Sequence, residues 1–88
     1  MRFAISPGVL YQEFPSEAVL LSLTTAEYFL LNRLGQSIWE SIRSGADRAT
    51  IETKLLQEFE ASAETIREDL SAFLDRLLEL QLIEVAQA

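Results

Sequence analysis

The sequence predicts an α+β domain in which a three-stranded antiparallel meander is followed by three helices. Three observations predict it. Within the first 32 residues, three short apolar runs are separated by turn residues. After Arg33 the apolar spacing changes to helical intervals. Asp47 and Ser62 then stand where helix N-caps belong. Short connections make consecutive strands antiparallel neighbours. No linker or internal repeat divides the 88 residues, which are read as one domain, 1–88.

Ser6-Pro7-Gly8 opens the chain as a turn, and Val9 to Phe14 is the first strand. Pro15-Ser16-Glu17 turns the chain into a second strand, Ala18 to Leu23. Thr24 to Glu27 is the next turn, and Tyr28 to Asn32 is the third strand. Leu34, Ile38, Trp39 and Ile42 then recur at helical intervals up to Ser44-Gly45. Asp47 caps a second helix with Ile51, Leu55, Leu56 and Phe59 as its apolar positions. Ser62 caps a third, running from about Ala63 to about Leu80, with Glu64 favourably placed against the dipole of its first turn. Leu82 to Val85 is a final apolar segment, a short strand or a packed tail.

Composition excludes most chemistry. Cysteine and histidine are both absent, which removes disulfides, thiolate metal sites and the commonest general base and metal ligand. The serines lack a histidine to activate them and a Gly-x-Ser-x-Gly elbow around them. The three glycines, at 8, 35 and 45, are too scattered for a phosphate loop. Glu64/Glu68 and Asp75/Glu79 are carboxylate pairs at i,i+4, read as a solvated acidic face rather than a cation site. The chain is therefore read as a non-enzyme with no catalytic residue, no metal and no cofactor. No run reaches the ~20 apolar residues of a membrane span, and the N-terminus lacks a signal-peptide core. A cytoplasmic location is expected.

The net charge of −7 is concentrated in the second half, where residues 45–88 carry ten acidic and four basic groups. Nucleic acid and anionic lipid would be repelled, so neither is expected as a partner. Trp39, beside Ile38 and Ile42, is read as core.

Two features leave room for peptide binding beside a plain structural role. Tyr28, Phe29, Leu30 and Leu31 are apolar towards both faces of the third strand, with no lysine or proline to blunt it. An open edge there would template a further strand; the final segment or a second copy of the chain could equally cover it. At 100° per residue, the apolar positions of the third helix, from Ala63 to Leu80, spread over roughly 160°, wider than the ~100° stripe that one core requires. That helix either serves the core with one side and a ligand with the other, or packs against two elements of its own domain. Asp69 borders the arc beside Phe73.

The series Val19-Leu-Leu-Ser-Leu23, Thr24-Thr-Ala-Glu-Tyr-Phe-Leu-Leu-Asn32 and Ile38-Trp39 resembles the PqqD-like group. The resemblance continues through Ile51 to Phe59, Ile66 to Leu77 and Leu82-Ile-Glu84, covering nearly the whole chain. That group comprises the RiPP recognition elements, which bind leader peptides of ribosomally made, modified peptides. The sequence departs from it in having Glu27 before the paired aromatics and Gln81 after the last helix, where glycine is usual, and in lacking a Pro-Glu-Gly-like signature. It resembles the stand-alone elements of lasso-peptide clusters more than the pyrroloquinoline-quinone pathway proteins.

The resemblance implies a winged-helix-like arrangement, with the leader peptide added to the third strand and lying beside the third helix. It implies strand contacts at Tyr28, Phe29, Leu30, Leu31 and Asn32, and helix contacts at Ile66, Asp69, Leu70, Phe73 and Leu74. It also implies partners from the same pathway, a lasso-type leader peptidase and an ATP-dependent, asparagine-synthetase-like cyclase or other modifying enzyme; a PqqD-type peptide chaperone for a radical-SAM enzyme is the alternative within the group. Outside it stand a winged-helix DNA-binding regulator and a homo-oligomeric assembly module or homodimer. The regulator is disfavoured because Arg48, Lys54, Arg67 and Arg76 are scattered among carboxylates.

Overall fold

Two small sheets and three helices share one core in the computed structural model, which describes residues 2–86. The elements are β1 (Arg2–Ile5), β2 (Val9–Glu13), β3 (Ala18–Ser22), β4 (Glu27–Leu31), α1 (Arg33–Arg43), α2 (Arg48–Glu58), α3 (Ala63–Glu79) and β5 (Ile83–Ala86). The expected meander is present as the antiparallel sheet β2-β3-β4. The expected third strand is β4, shifted by one residue, so that Glu27 belongs to the strand while Asn32 leaves it to become the N-cap of α1.

One strand was not foreseen. β1 pairs antiparallel with β5, aligning Phe3 with Val85 and Ile5 with Ile83, and this settles the final segment as a strand. A four-residue strand at the chain's beginning carries little periodicity, and its partner lies at the other end of the sequence. The pairing has a consequence for the meander: β5 is used up on β1, so β4 keeps an outer edge with no strand beside it among the described residues.

Each helix starts on the residue that can satisfy its first free N–H groups. The side chains of Asn32, Asp47 and Ser62 accept from the backbone N–H of Gly35 (2.8 Å), Thr50 (2.8 Å) and Thr65 (3.1 Å). The bonds from Thr50 hold the Asp47 carboxyl below the usual carboxylate range. Helix α1 buries Ile38, Trp39 and Ile42; α2 buries Ile51 and Leu55; α3 buries Ile66, Leu70, Leu74 and Leu77. From the sheets come Ala18, Leu20, Leu31, Phe3 and Ile83. Each fully buried large side chain contributes about 1.5–3 kcal/mol to folding. Leu56, expected on the apolar side of α2, is exposed.

Strand alternation divides the meander into two faces. Ala18, Leu20 and Ser22 of β3 point to the core, with Phe29 and Leu31 of β4 on the same face. The opposite face carries Leu10, Val19, Leu21, Tyr28 and Leu30, continued by Phe14 and Leu23. Leu10, Phe14, Leu23, Tyr28 and Leu30 are all exposed, so this sheet shows water an apolar rather than a polar side.

Helix α3 ends without glycine. Leu80 and Leu82 donate to Arg76 (2.9 Å) and Leu77 (2.9 Å), and Gln81 between them takes a φ of +60°. A side chain there costs about 1 kcal/mol, which glycine would not incur. Gln81→Gly is therefore expected to stabilise the domain by about 0.5–1 kcal/mol, read as a higher urea midpoint with unchanged slope. An unchanged or lower midpoint would contradict this account of the turn. Ala26, with a φ of +60°, holds the same kind of position in the β3–β4 turn. The strained residue before the paired aromatics is thus Ala26 rather than Glu27.

Candidate functional site: the β4–α3 groove

The free edge of β4 opens onto a groove made of two adjoining hollows. One, of about 770 Å³, lies towards the C-terminal end of β4, between Leu30 to Asn32, the first turn of α1 and the Asp69–Arg76 stretch of α3. The other, of about 460 Å³, runs along Tyr28 to Leu31 and is closed by Phe73, Leu77 and Leu80. Leu30, Leu31, Phe73 and Arg76 line both, so the hollows form one trough along the strand. A five-residue strand spans about 17 Å, enough to align a peptide of similar length.

The wide apolar arc of α3 resolves into two stripes. Ile66, Leu70, Leu74 and Leu77 are at most 3% exposed and form the core stripe. Phe73 and Leu80 lie roughly 20–40° to one side of Ile66 on a helical wheel. Both are half-buried and face the groove. Further round come Asp69 and Arg76, exposed at the groove's rim. The only ion pair among the described residues joins Arg67 to Glu52 (3.3 Å), which leaves Asp69 and Arg76 unpaired at the rim.

The expected site residues therefore separate. Tyr28, Phe29, Leu30, Leu31, Asn32, Asp69 and Phe73 line the groove. Asn32 does so as the N-cap of α1, just beyond the end of β4. Ile66, Leu70 and Leu74 need correction: they point into the core and line neither hollow. Helical phase separates them from Phe73, and the apolar pattern alone does not reveal which side of the arc the sheet covers. Leu34, Gly35, Ala72, Arg76, Leu77 and Leu80 join the site without having been singled out for it. Ala72 and Arg76 were reachable from Asp69 by i,i+3 and i,i+4 steps; Leu34 and Gly35 depend on how α1 leaves β4.

Chemically the groove offers hydrogen bonding and apolar contact. Unpaired backbone N–H and C=O groups run along β4, apolar walls stand on either side, and charge is confined to the rim. Among the described residues no group of three His, Cys, Asp or Glu is gathered that could hold a metal ion. No helix is long and apolar enough to cross a membrane.

The model of the family described as coenzyme PQQ synthesis protein D (PqqD) matches residues 17–83. No curated protein matches the chain. Two solved structures do. One is described as TbiB1 in complex with the TbiA(beta) leader peptide; it is 30% identical, with a TM-score of 0.87 over 97% of this chain and 99% of that one. The other is described as lasso peptide synthetase B1 complexed with the leader peptide; at 22% identity and a TM-score of 0.87, over 97% of this chain and 100% of that one, it supports the shared fold.

Proposed function

This chain belongs to the PqqD family, as a PqqD-like RiPP recognition element of the lasso-peptide type, and from that premise we propose that it binds the leader region of a ribosomally made precursor peptide. The observation that carries the reading is the unpaired edge of β4 facing the apolar side of α3 across an open groove. A leader segment adds to β4 as a further strand. Its backbone satisfies the free edge, and alternate side chains enter the hollows beside Phe73. The resemblance to lasso-type recognition elements, whose leaders commonly carry a Tyr-x-x-Pro element, implies an aromatic residue and a proline among the side chains that enter these hollows.

The domain performs no bond chemistry in this reading. It tethers the precursor in the cytoplasm and delivers it to a leader peptidase, a modifying enzyme or both, raising the effective concentration of the core peptide at the enzyme. The test is fluorescence anisotropy with the labelled leader of a short precursor encoded next to the gene for this chain, the core peptide serving as control. Saturable binding of the leader alone, at micromolar concentration or below, is expected. A folded domain that binds no such leader removes the proposal.

Asp69→Ala is expected to weaken leader binding several-fold while leaving the thermal transition in place. The carboxylate is exposed and without an ion-pair partner among the described residues, so the fold loses little with it. Loss of the transition in this variant would make Asp69 a structural residue.

A second reading rests on the apolar outer face of the meander, where five large side chains meet solvent. That face favours a homo-oligomeric assembly module. Light scattering without peptide distinguishes the two: a mass that doubles with concentration supports assembly, whereas a constant monomer leaves peptide binding as the use of this sheet.

A further inference from the structure

Gly35 occupies a position where nothing in the backbone calls for glycine. It lies in the first turn of α1, and only Gly8 and Gly45 among the described glycines take a positive φ. Alanine is the better helix former there by intrinsic preference. What glycine supplies is space. A methyl carbon on Gly35 would lie 3.1 Å from Cζ and 3.2 Å from Cε1 of Phe73, and 3.3 Å from Oδ1 of Asn32. Those distances are inside ordinary van der Waals contact, so one neighbour would have to yield by a few tenths of an ångström. Asn32 is held by its capping bond to the Gly35 N–H (2.8 Å). The Phe73 ring tip is the freer of the two, being half-buried and lining a second hollow that Gly35 does not line.

We infer that Gly35 is a specificity-determining residue of the β4–α3 groove: by lacking a side chain it lets Phe73 lean against α1, and this sets how bulky a peptide side chain the groove admits. The inference rests on the peptide-binding reading above and deepens it. Phe73 is one of four residues common to both hollows, so a displaced ring narrows the trough where they join. A side chain of aromatic size loses its place before a smaller aliphatic one does.

The test selects displayed random peptides, long enough to span β4, on the wild-type domain, Gly35→Ala, Phe73→Leu and the double variant. The wild type is expected to enrich an aromatic at one fixed position, and Gly35→Ala to enrich a smaller aliphatic residue there. Gly35→Ala should bind the best wild-type peptide about tenfold or more weakly by anisotropy. Phe73→Leu in the same chain should restore the aromatic preference, because the shorter side chain returns the space. Phe73→Leu alone widens the groove and should admit a bulkier residue than the wild type, a result independent of whether Gly35→Ala folds. Identical selections by wild type and by the folded variants would overturn the role of Gly35 while leaving peptide binding intact. A wild-type domain that selects nothing would overturn the peptide-binding reading itself, and this inference with it.

Discussion

Leu30→Asp is expected to abolish most leader binding while the domain stays folded. Leu30 is 63% exposed yet lines both hollows, so its side chain is spare for folding and central to the groove. A peptide strand laid along β4 would cover that position, and aspartate would then lose water without gaining a partner. Burying an uncompensated polar or charged group in this way costs about 2–4 kcal/mol, roughly a 30- to 1,000-fold loss in affinity. The stability change should be much smaller, within about 1 kcal/mol, since aspartate's poor strand preference acts at an exposed edge. Glu52→Ala is the matched control. It removes an acid that lines neither hollow and whose ion pair with Arg67 sits at the surface, worth little. Anisotropy titrations should leave the control near wild type. If both variants bind the leader equally well, the groove is not the binding site.

How far the sequence reveals this site follows from the range over which each signal acts. The meander, the helices and their caps are local: Asp47 and Ser62 stand within three residues of the N–H groups they satisfy. Their positions can be read without knowing the fold. Arg2 to Ile5 shows the opposite case, a strand whose partner is separated from it by almost the whole chain, so no window of sequence contains the pairing. That pair also bears on the proposed function, because it diverts β5 away from β4 and leaves the edge open. On α3 the breadth of the apolar arc is visible, but its division is not: Leu70 and Phe73 are both apolar and only 60° apart by helical geometry. Which becomes core depends on where the meander lies. Gly35 is harder still, since its meaning resides in the tip of a side chain 38 positions away, at Phe73.

Leu70→Ala provides the complementary test of that division. Leu70 is fully buried between the sheets and the helices, and truncation would leave a cavity that close packing cannot fill. The expected cost is about 3 kcal/mol, a large share of the roughly 5–15 kcal/mol that holds a small domain together. Thermal or urea denaturation should show a much lower midpoint. Leader binding should then fall only through the loss of folded molecules, so that excess leader, binding the native state alone, restores much of the thermal midpoint by mass action. Leu30→Asp should behave in the reverse way, with an ordinary midpoint that leader scarcely raises because the folded protein no longer holds it. The two variants thus separate core from groove by linkage rather than by affinity alone. A Leu70→Ala domain with a wild-type midpoint and no affinity would place Leu70 on the groove rather than in the core.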